Sequence, residues 1–177
     1  MIDDWTERAL HALEKSGSGS PVILVNLDQQ KLYLVQDRTF VRDYSVSTSR
    51  YGTGCEQDSY RTPTGIHRIA EKIGKDCRRG EIFRARIATG ELAQIILDTR
   101  PAGVDVITSR ILRLQGMEPG VNQGEGVDSY QRYIYIHGTN EEGLIGQAAS
   151  TGCIRMKNDD VIDLFDRVEV GTPVLIE

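Results

Sequence analysis

The apolar positions along the chain come in short β-branched runs separated by polar turns, which is the signature of strands. Val22-Ile23-Leu24-Val25 and Lys31-Leu32-Tyr33-Leu34-Val35 flank the polar segment Asn26 to Gln30 and predict a β-hairpin. Thr39 to Ser47 predicts a third strand, residues 48–65 a Ser/Gly/Thr-rich loop, and Ile66 to Ile73 a fourth strand. A polar loop over 74–81 follows, then strands at Ile95-Ile96-Leu97 and Val104 to Ile111, a Gly-rich loop from Gly116 to Asp128, and a compact strand Tyr133-Ile134-Tyr135-Ile136. Helical spacing appears twice. Trp5, Ala9, Leu10 and Leu13 share one side of a helix over residues 1–15, and Val161, Leu164, Phe165 and Val168 do so after a start signal at Asn158-Asp159-Asp160. Gly171 predicts the stop of the second helix, and Val174-Leu175-Ile176 a last strand. About eight strands against two helices, joined mostly by local turns, predict a mainly β, β-rich α+β domain of mixed or antiparallel sheets. Ser16 to Ser20 reads as a flexible hinge, so the expected organisation is 1–20 as helix and hinge and 21–177 as one domain.

Composition narrows the function. The 177 residues carry a net charge of -5, which disfavours a non-specific nucleic-acid binder. No stretch approaches the ~18 apolar residues that a spanning helix needs, so no membrane span is expected. The first residues have neither a basic nor an apolar leader region, and the expected location is cytoplasmic; a leader ahead of Met1 in the natural chain would make it periplasmic. Three widely spaced cysteines, Cys55, Cys77 and Cys153, do not form a disulfide framework. The histidines at 11, 67 and 137 lack metal-ligand spacing, so neither a metal nor a cofactor is expected.

The chemistry concentrates in one segment. The strand ending at Ile136 delivers His137 into Gly138-Thr139, and Ser150-Thr151-Gly152-Cys153-Ile154-Arg155-Met156 follows. A thiol, an imidazole to deprotonate it and glycines for close backbone approach are what nucleophilic acyl transfer requires. Each residue alone is more often structural, since a cysteine in an apolar setting usually packs as a small hydrophobe.

This segment resembles the signature of the YkuD-type L,D-transpeptidase catalytic domain: a His-Gly, a spacer, then Ser/Thr-His-Gly-Cys with Ile-Arg-Met. The similarity extends over residues 21–177 and includes the hairpin Val25 to Leu34, the turn Arg61-Thr62-Pro63-Thr64-Gly65, the stretch Thr108 to Leu112 and Val127-Asp128-Ser129-Tyr130. The resemblance implies a sandwich-like β domain in which Cys153 is the nucleophile and His137 its base. It implies that the Gly138 carbonyl orients the imidazole and that Gly152 and Cys153 offer oxyanion N–H groups. Ser150, Thr151 and Arg155 are the expected substrate-binding positions. The implied substrate is a peptidoglycan tetrapeptide stem or muropeptide, which acylates Cys153 and loses its terminal D-alanine. Carbapenem-type β-lactams are implied as covalent mimics, and Cys153 is expected to alkylate faster than Cys55 or Cys77.

Two positions depart from the family pattern. Thr151 replaces the histidine before Gly-Cys, and His67 stands where phenylalanine is common and is expected to be a packing substitution. Arg155 is open between a substrate carboxylate and an ion pair with Asp159 or Asp160. Arg78, Arg79, Arg84 and Arg86 are expected to form a solvated face rather than a basic rim. In the cytosol only soluble stems are available, so the leading expectation is an L,D-carboxypeptidase in muropeptide recycling. The alternatives are a periplasmic cross-linking L,D-transpeptidase and a non-catalytic stem-binding module.

Overall fold

The computed structural model describes Glu7, His11 and residues 21–177. Apart from those two positions, the expected first helix and the Ser/Gly hinge lie outside the described residues. Ten strands follow in chain order: β1 (Val22–Asn26), β2 (Lys31–Gln36), β3 (Thr39–Ser47), β4 (Gly65–Ile73), β5 (Glu81–Arg84), β6 (Ile87–Leu92), β7 (Ile107–Gly116), β8 (Tyr135–Thr139), β9 (Ile154–Met156) and β10 (Pro173–Ile176). One helix, α1 (Asn158–Arg167), lies between β9 and β10.

The strands form one continuous mixed ladder in the order β4-β10-β1-β2-β3-β9-β8-β7-β5-β6. A further pairing of β4 with β7 closes the first eight of these into a ring and leaves β5–β6 as a hairpin on β7. Two neighbours are parallel, β1 with β10 and β8 with β9. The expected β-rich, mixed-sheet class is thus observed, with its layers continuous at their edges. The interior is filled by Ile23, Val25, Leu32, Leu34, Val46, Leu112, Ile136 and Ile154, and α1 adds Val161, Leu164, Phe165 and the following Val168. Full burial of each such side chain contributes roughly 1.5–3 kcal/mol. β1 is buried at all five positions because Val22 and Leu24 pack outward against Val35 and Leu175. A strand covered on both faces reads as an unbroken apolar run, which is how it appears in the sequence.

Five details differ from the sequence reading, the first being that the strand expected over Val104 to Ile111 runs instead from Ile107 to Gly116 as β7. Ile95 to Leu97 is not a strand: Ile96 exchanges loop hydrogen bonds with Asn140 and Gly143, and Leu97 is exposed. β5 and β6 went unpredicted because β6 is mostly solvent-facing and carries no apolar alternation. β9 is three residues long, too short for a periodic signal. β8 begins at Tyr135 rather than Tyr133, whose φ of 56° breaks the extended conformation.

Candidate active site

β8 lies between β7 and β9, and this central position carries the imidazole. Thr108 of β7 faces Gly138 of β8, and a Cβ on Gly138 would sit 2.5 Å from the Thr108 carbonyl oxygen. Only glycine allows that approach. The His137 ring is 3% exposed, and its Nδ1–H donates to the Gly138 carbonyl oxygen at 2.6 Å. This bond fixes the tautomer and leaves Nε2 with a lone pair, ready to accept a proton. Burial pushes the imidazole pKa down, and the Asp105 carboxylate works in the opposite direction. The resting ring is therefore neutral at physiological pH.

Cys153 arrives on a tight turn ahead of β9. Ser150 Oγ donates to the Cys153 carbonyl at 2.6 Å and accepts from the Gly152 N–H at 3.3 Å. Thr62 Oγ1 donates to the Gly152 carbonyl at 3.0 Å, tying the turn to the 48–64 loop. Gly152 has φ +132°, a conformation that side chains rarely adopt, so here the glycine is required by backbone geometry. The parallel register places Ile136 opposite Ile154 and His137 opposite Arg155, so Cys153 projects from the same face as Tyr135 and His137. The sulfur accepts the Tyr135 N–H at 3.3 Å and donates toward the Tyr133 carbonyl at 3.5 Å. The unusual φ of Tyr133 sets the backbone that cradles it. Burial pushes the thiol pKa up to about 11, against the lowering effects of the Tyr135 N–H and of Arg132 and Arg155. The resting pair is thus neutral thiol and neutral imidazole. Thiol and imidazole share one face, with the sulfur engaged by the Tyr133 and Tyr135 backbone and Nδ1 of the ring by Gly138.

A cleft of about 110 Å³ opens beside Cys153, bordered by Gln57, Asp58, Tyr60, Arg132, Ile134 and Thr151. A larger pocket of about 570 Å³ lies on the other side of Thr151 and is bordered by Arg50, Asp105, Glu141, Gln147 and Arg155 among others.

A family model for the L,D-transpeptidase catalytic domain, YkuD, matches residues 20–176. The chain belongs to this L,D-transpeptidase family. YqjB of Bacillus subtilis, assigned to the L,D-transpeptidases, is 30% identical over 158 residues, spanning 89% of this chain and 72% of YqjB. YcfS of Escherichia coli, assigned likewise, is 44% identical over 157 residues, which cover 87% of this chain and 43% of YcfS. The chain therefore spans less than half the length of that relative. An L,D-transpeptidase 3 of Mycobacterium tuberculosis, solved with a faropenem-derived adduct, superposes with a TM-score of 0.51 at 18% identity, over 89% of this chain and 60% of that one. The likeness to this structure shows the shared fold. The protein is thus an L,D-transpeptidase-family enzyme.

Within this L,D-transpeptidase site, the residues expected from sequence sit as follows. His137, Gly138, Gly152 and Cys153 come together. The Gly152 N–H, expected at an oxyanion, is directed instead to Ser150 Oγ, because the turn closes on that hydroxyl. Ser150 is 2% exposed and serves the turn, whereas Thr151 is exposed and borders both cavities. Arg155 is 1% exposed and bonds Glu141 at 2.7 Å and Asp105 at 3.0 Å. Its partners are not Asp159 or Asp160, since α1 carries those away and Asp159 pairs with Arg79 at 2.6 Å. His67 is fully buried and does have partners: Nδ1–H donates to the Gly65 carbonyl at 3.0 Å, and Nε2 accepts from Ser129 Oγ at 2.8 Å. Of the arginine cluster, Arg78, Arg79 and Arg84 form ion pairs with Glu81, Asp159 and Glu91, while Arg86 donates to the Tyr135 hydroxyl at 3.2 Å.

Three functional neighbours escaped the sequence reading. Asp105 sits in an irregular segment without a motif. Arg132 immediately precedes the recognisable run that begins at Tyr133 and carries no motif. Asn158, which signalled a helix start, is fully buried; its Oδ1 accepts from Thr108 Oγ1 and Ser109 Oγ, both at 2.6 Å, and its Nδ2 donates to the Thr139 carbonyl at 2.9 Å and to Glu142 at 2.7 Å. It thereby locks β7 to the end of β8, on either side of Gly138. No side chain caps α1 at Lys157.

Proposed function

We propose that this L,D-transpeptidase-family enzyme acts as an L,D-carboxypeptidase: it acylates Cys153 with a peptidoglycan tetrapeptide stem, expels the terminal D-alanine and hydrolyses the thioester. The observation that carries the reading is the shared face of Cys153 and His137, with Nδ1 of the imidazole engaged by Gly138 and Nε2 left as acceptor. In the first half-reaction the thiol proton passes to Nε2 as sulfur attacks the carbonyl carbon of the diamino residue. The peptide C–N bond then breaks, and the imidazolium returns the proton to the departing amine. In the second half-reaction the imidazole takes a proton from water, hydroxide adds to the thioester, and the C–S bond breaks to release tripeptide and free thiol. The Cys153 N–H and, once the turn opens from Ser150, the Gly152 N–H are the donors nearest the developing oxyanion.

Thr151 supports hydrolysis, because a small hydroxyl side chain in place of an imidazole leaves room for water beside the thioester. The small cleft at Cys153 suits a single small leaving residue. The setting we propose is the cytosol, with soluble stems and muropeptides from wall recycling as substrates. A second reading, cross-linking in the periplasm, draws support from the larger pocket beyond Thr151, where the Asp105 and Glu141 carboxylates could receive an acceptor ammonium. β-Lactams of the carbapenem type are proposed to acylate the same sulfur, by analogy with the related penem adduct, derived from faropenem, in the mycobacterial structure.

The test is incubation with disaccharide-tetrapeptide, with and without an amine acceptor, followed by mass spectrometry. Loss of one alanine without dimers supports hydrolysis. Accumulating dimers would replace it with cross-linking. Stem binding with no release by the wild type would leave only the binding-module reading.

A further inference from the structure

The cleft at Cys153 holds one cation that nothing in the catalytic cycle uses. Arg132 borders it and spends its hydrogen bonds on neutral groups: Nη1 donates to the Gly54 carbonyl at 3.2 Å, and Nη2 to the Arg61 carbonyl at 2.7 Å and to Ser59 Oγ at 3.3 Å. Among the described residues no carboxylate forms an ion pair with it. Asp58 borders the same cleft, but its carboxylate accepts from the Gln57 amide at 3.1 Å, and Glu56 and Asp58 reach Arg132 only through longer-range attraction. Arg155, the buried arginine of the site, is already held by two carboxylates, whereas Arg132 is half-buried. Arg132 therefore offers the positive charge in this cleft that awaits a counter-ion, beside the attacking sulfur.

The size of the cleft says which anion. Its volume of about 110 Å³ is far below the roughly 300 Å³ at which small-molecule sites begin and holds only a few waters' worth of matter. That suits one small residue, not an extended peptide. An enzyme that removes one terminal residue must read the free carboxylate lying one residue past the scissile bond. Guanidinium is the side chain best matched to a carboxylate.

We infer that Arg132 is a specificity-determining residue that binds the terminal α-carboxylate of the leaving D-amino acid and so restricts the enzyme to stems with one residue beyond the scissile bond. This rests on the proposed acylation of Cys153 by a stem, and holds whether water or an amine resolves the thioester. A stem with a second terminal D-alanine would carry its carboxylate one residue past Arg132 and place an uncharged amide there instead.

The test compares disaccharide-tetrapeptide ending in D-alanine with the same compound ending in D-alaninamide, reading kcat and KM for release of the last residue. The wild type is expected to prefer the free acid by about tenfold or more in kcat/KM, chiefly through KM. In Arg132→Gln the preference should fall close to one, and Arg132→Lys should restore part of it. Loosening of the 54–61 loop in the variant would slow both compounds alike and leave the ratio untouched. Equal wild-type rates on the two compounds would overturn the inference while leaving the carboxypeptidase reading standing, as would an undiminished ratio in Arg132→Gln. Should Arg132→Gln fail to fold, the wild-type ratio decides alone. Failure of the wild type to release either residue would overturn both.

Discussion

The imidazole of His137 is held by the carbonyl of Gly138, the very next residue, through a 2.6 Å hydrogen bond from Nδ1–H. A backbone carbonyl thus does for the proposed base what a third side chain does in Ser-His-Asp enzymes: it selects the tautomer and the ring angle. Replacing the base should therefore remove proton transfer without disturbing the sulfur, whose own bonds are to Tyr133 and Tyr135. His137→Ala is expected to lower kcat for D-alanine release by roughly 10²–10⁴-fold, with stem binding preserved. Steady-state kinetics alongside binding calorimetry checks this.

Alkylation of Cys153 should be slow near neutrality, because burial disfavours its thiolate. With the thiol pKa at about 11, the thiolate fraction at pH 8 is on the order of 10⁻³. The iodoacetamide rate at Cys153, followed by peptide mass spectrometry, should rise about tenfold per pH unit from pH 8 to 10. A plateau below pH 8 would show a preformed thiolate–imidazolium pair instead.

His67 predicts a loss of stability in acid. Burial lowers its folded pKa to about 4, against 6.5 unperturbed. Between those values the unfolded chain binds the proton and the folded chain does not, so stability rises with pH. The contribution is complete above pH 6.5 and declines as pH falls toward 4, reaching a loss of about 3 kcal/mol. Urea unfolding midpoints over that window should show the decline. In His67→Phe this part of the decline should vanish, at the cost of leaving the Ser129 hydroxyl and the Gly65 carbonyl unpaired.

Arg155 lies between Glu141 and Asp105, and Glu141 is almost as buried as the guanidinium. Arg155→Leu would strand that carboxylate, with an expected loss of about 3–5 kcal/mol. Chemical denaturation measures it. An unchanged midpoint with a raised KM for stems would instead assign Arg155 to the substrate.

The legibility of the molecule in its sequence varies for physical reasons. β2, β4 and α1 stood out because burial of one face imposes a period on their residues, and β1 because burial of both faces leaves an unbroken apolar run. β6 did not, since an exposed hairpin imposes none, and Ile95 to Leu97 looked like a strand though its backbone bonds serve a loop. In the active site, Cys153 and His137 were legible because glycines mark them. Asp105 and Asn158 reach the site through folding of a distant loop and helix, a relation that no local spacing encodes, and Arg132, although it adjoins the run that leads to His137, carries no motif. The turn bond that occupies the Gly152 N–H likewise depends on a Ser150 geometry that the motif does not specify.

Intact-mass spectrometry of the protein quenched in acid during turnover of disaccharide-tetrapeptide addresses the bond on which everything else depends. A species heavier than the free protein by the mass of the substrate less one D-alanine, absent in Cys153→Ala and cleaved by hydroxylamine, is the predicted result. Release of D-alanine by Cys153→Ala at the wild-type rate would contradict the account.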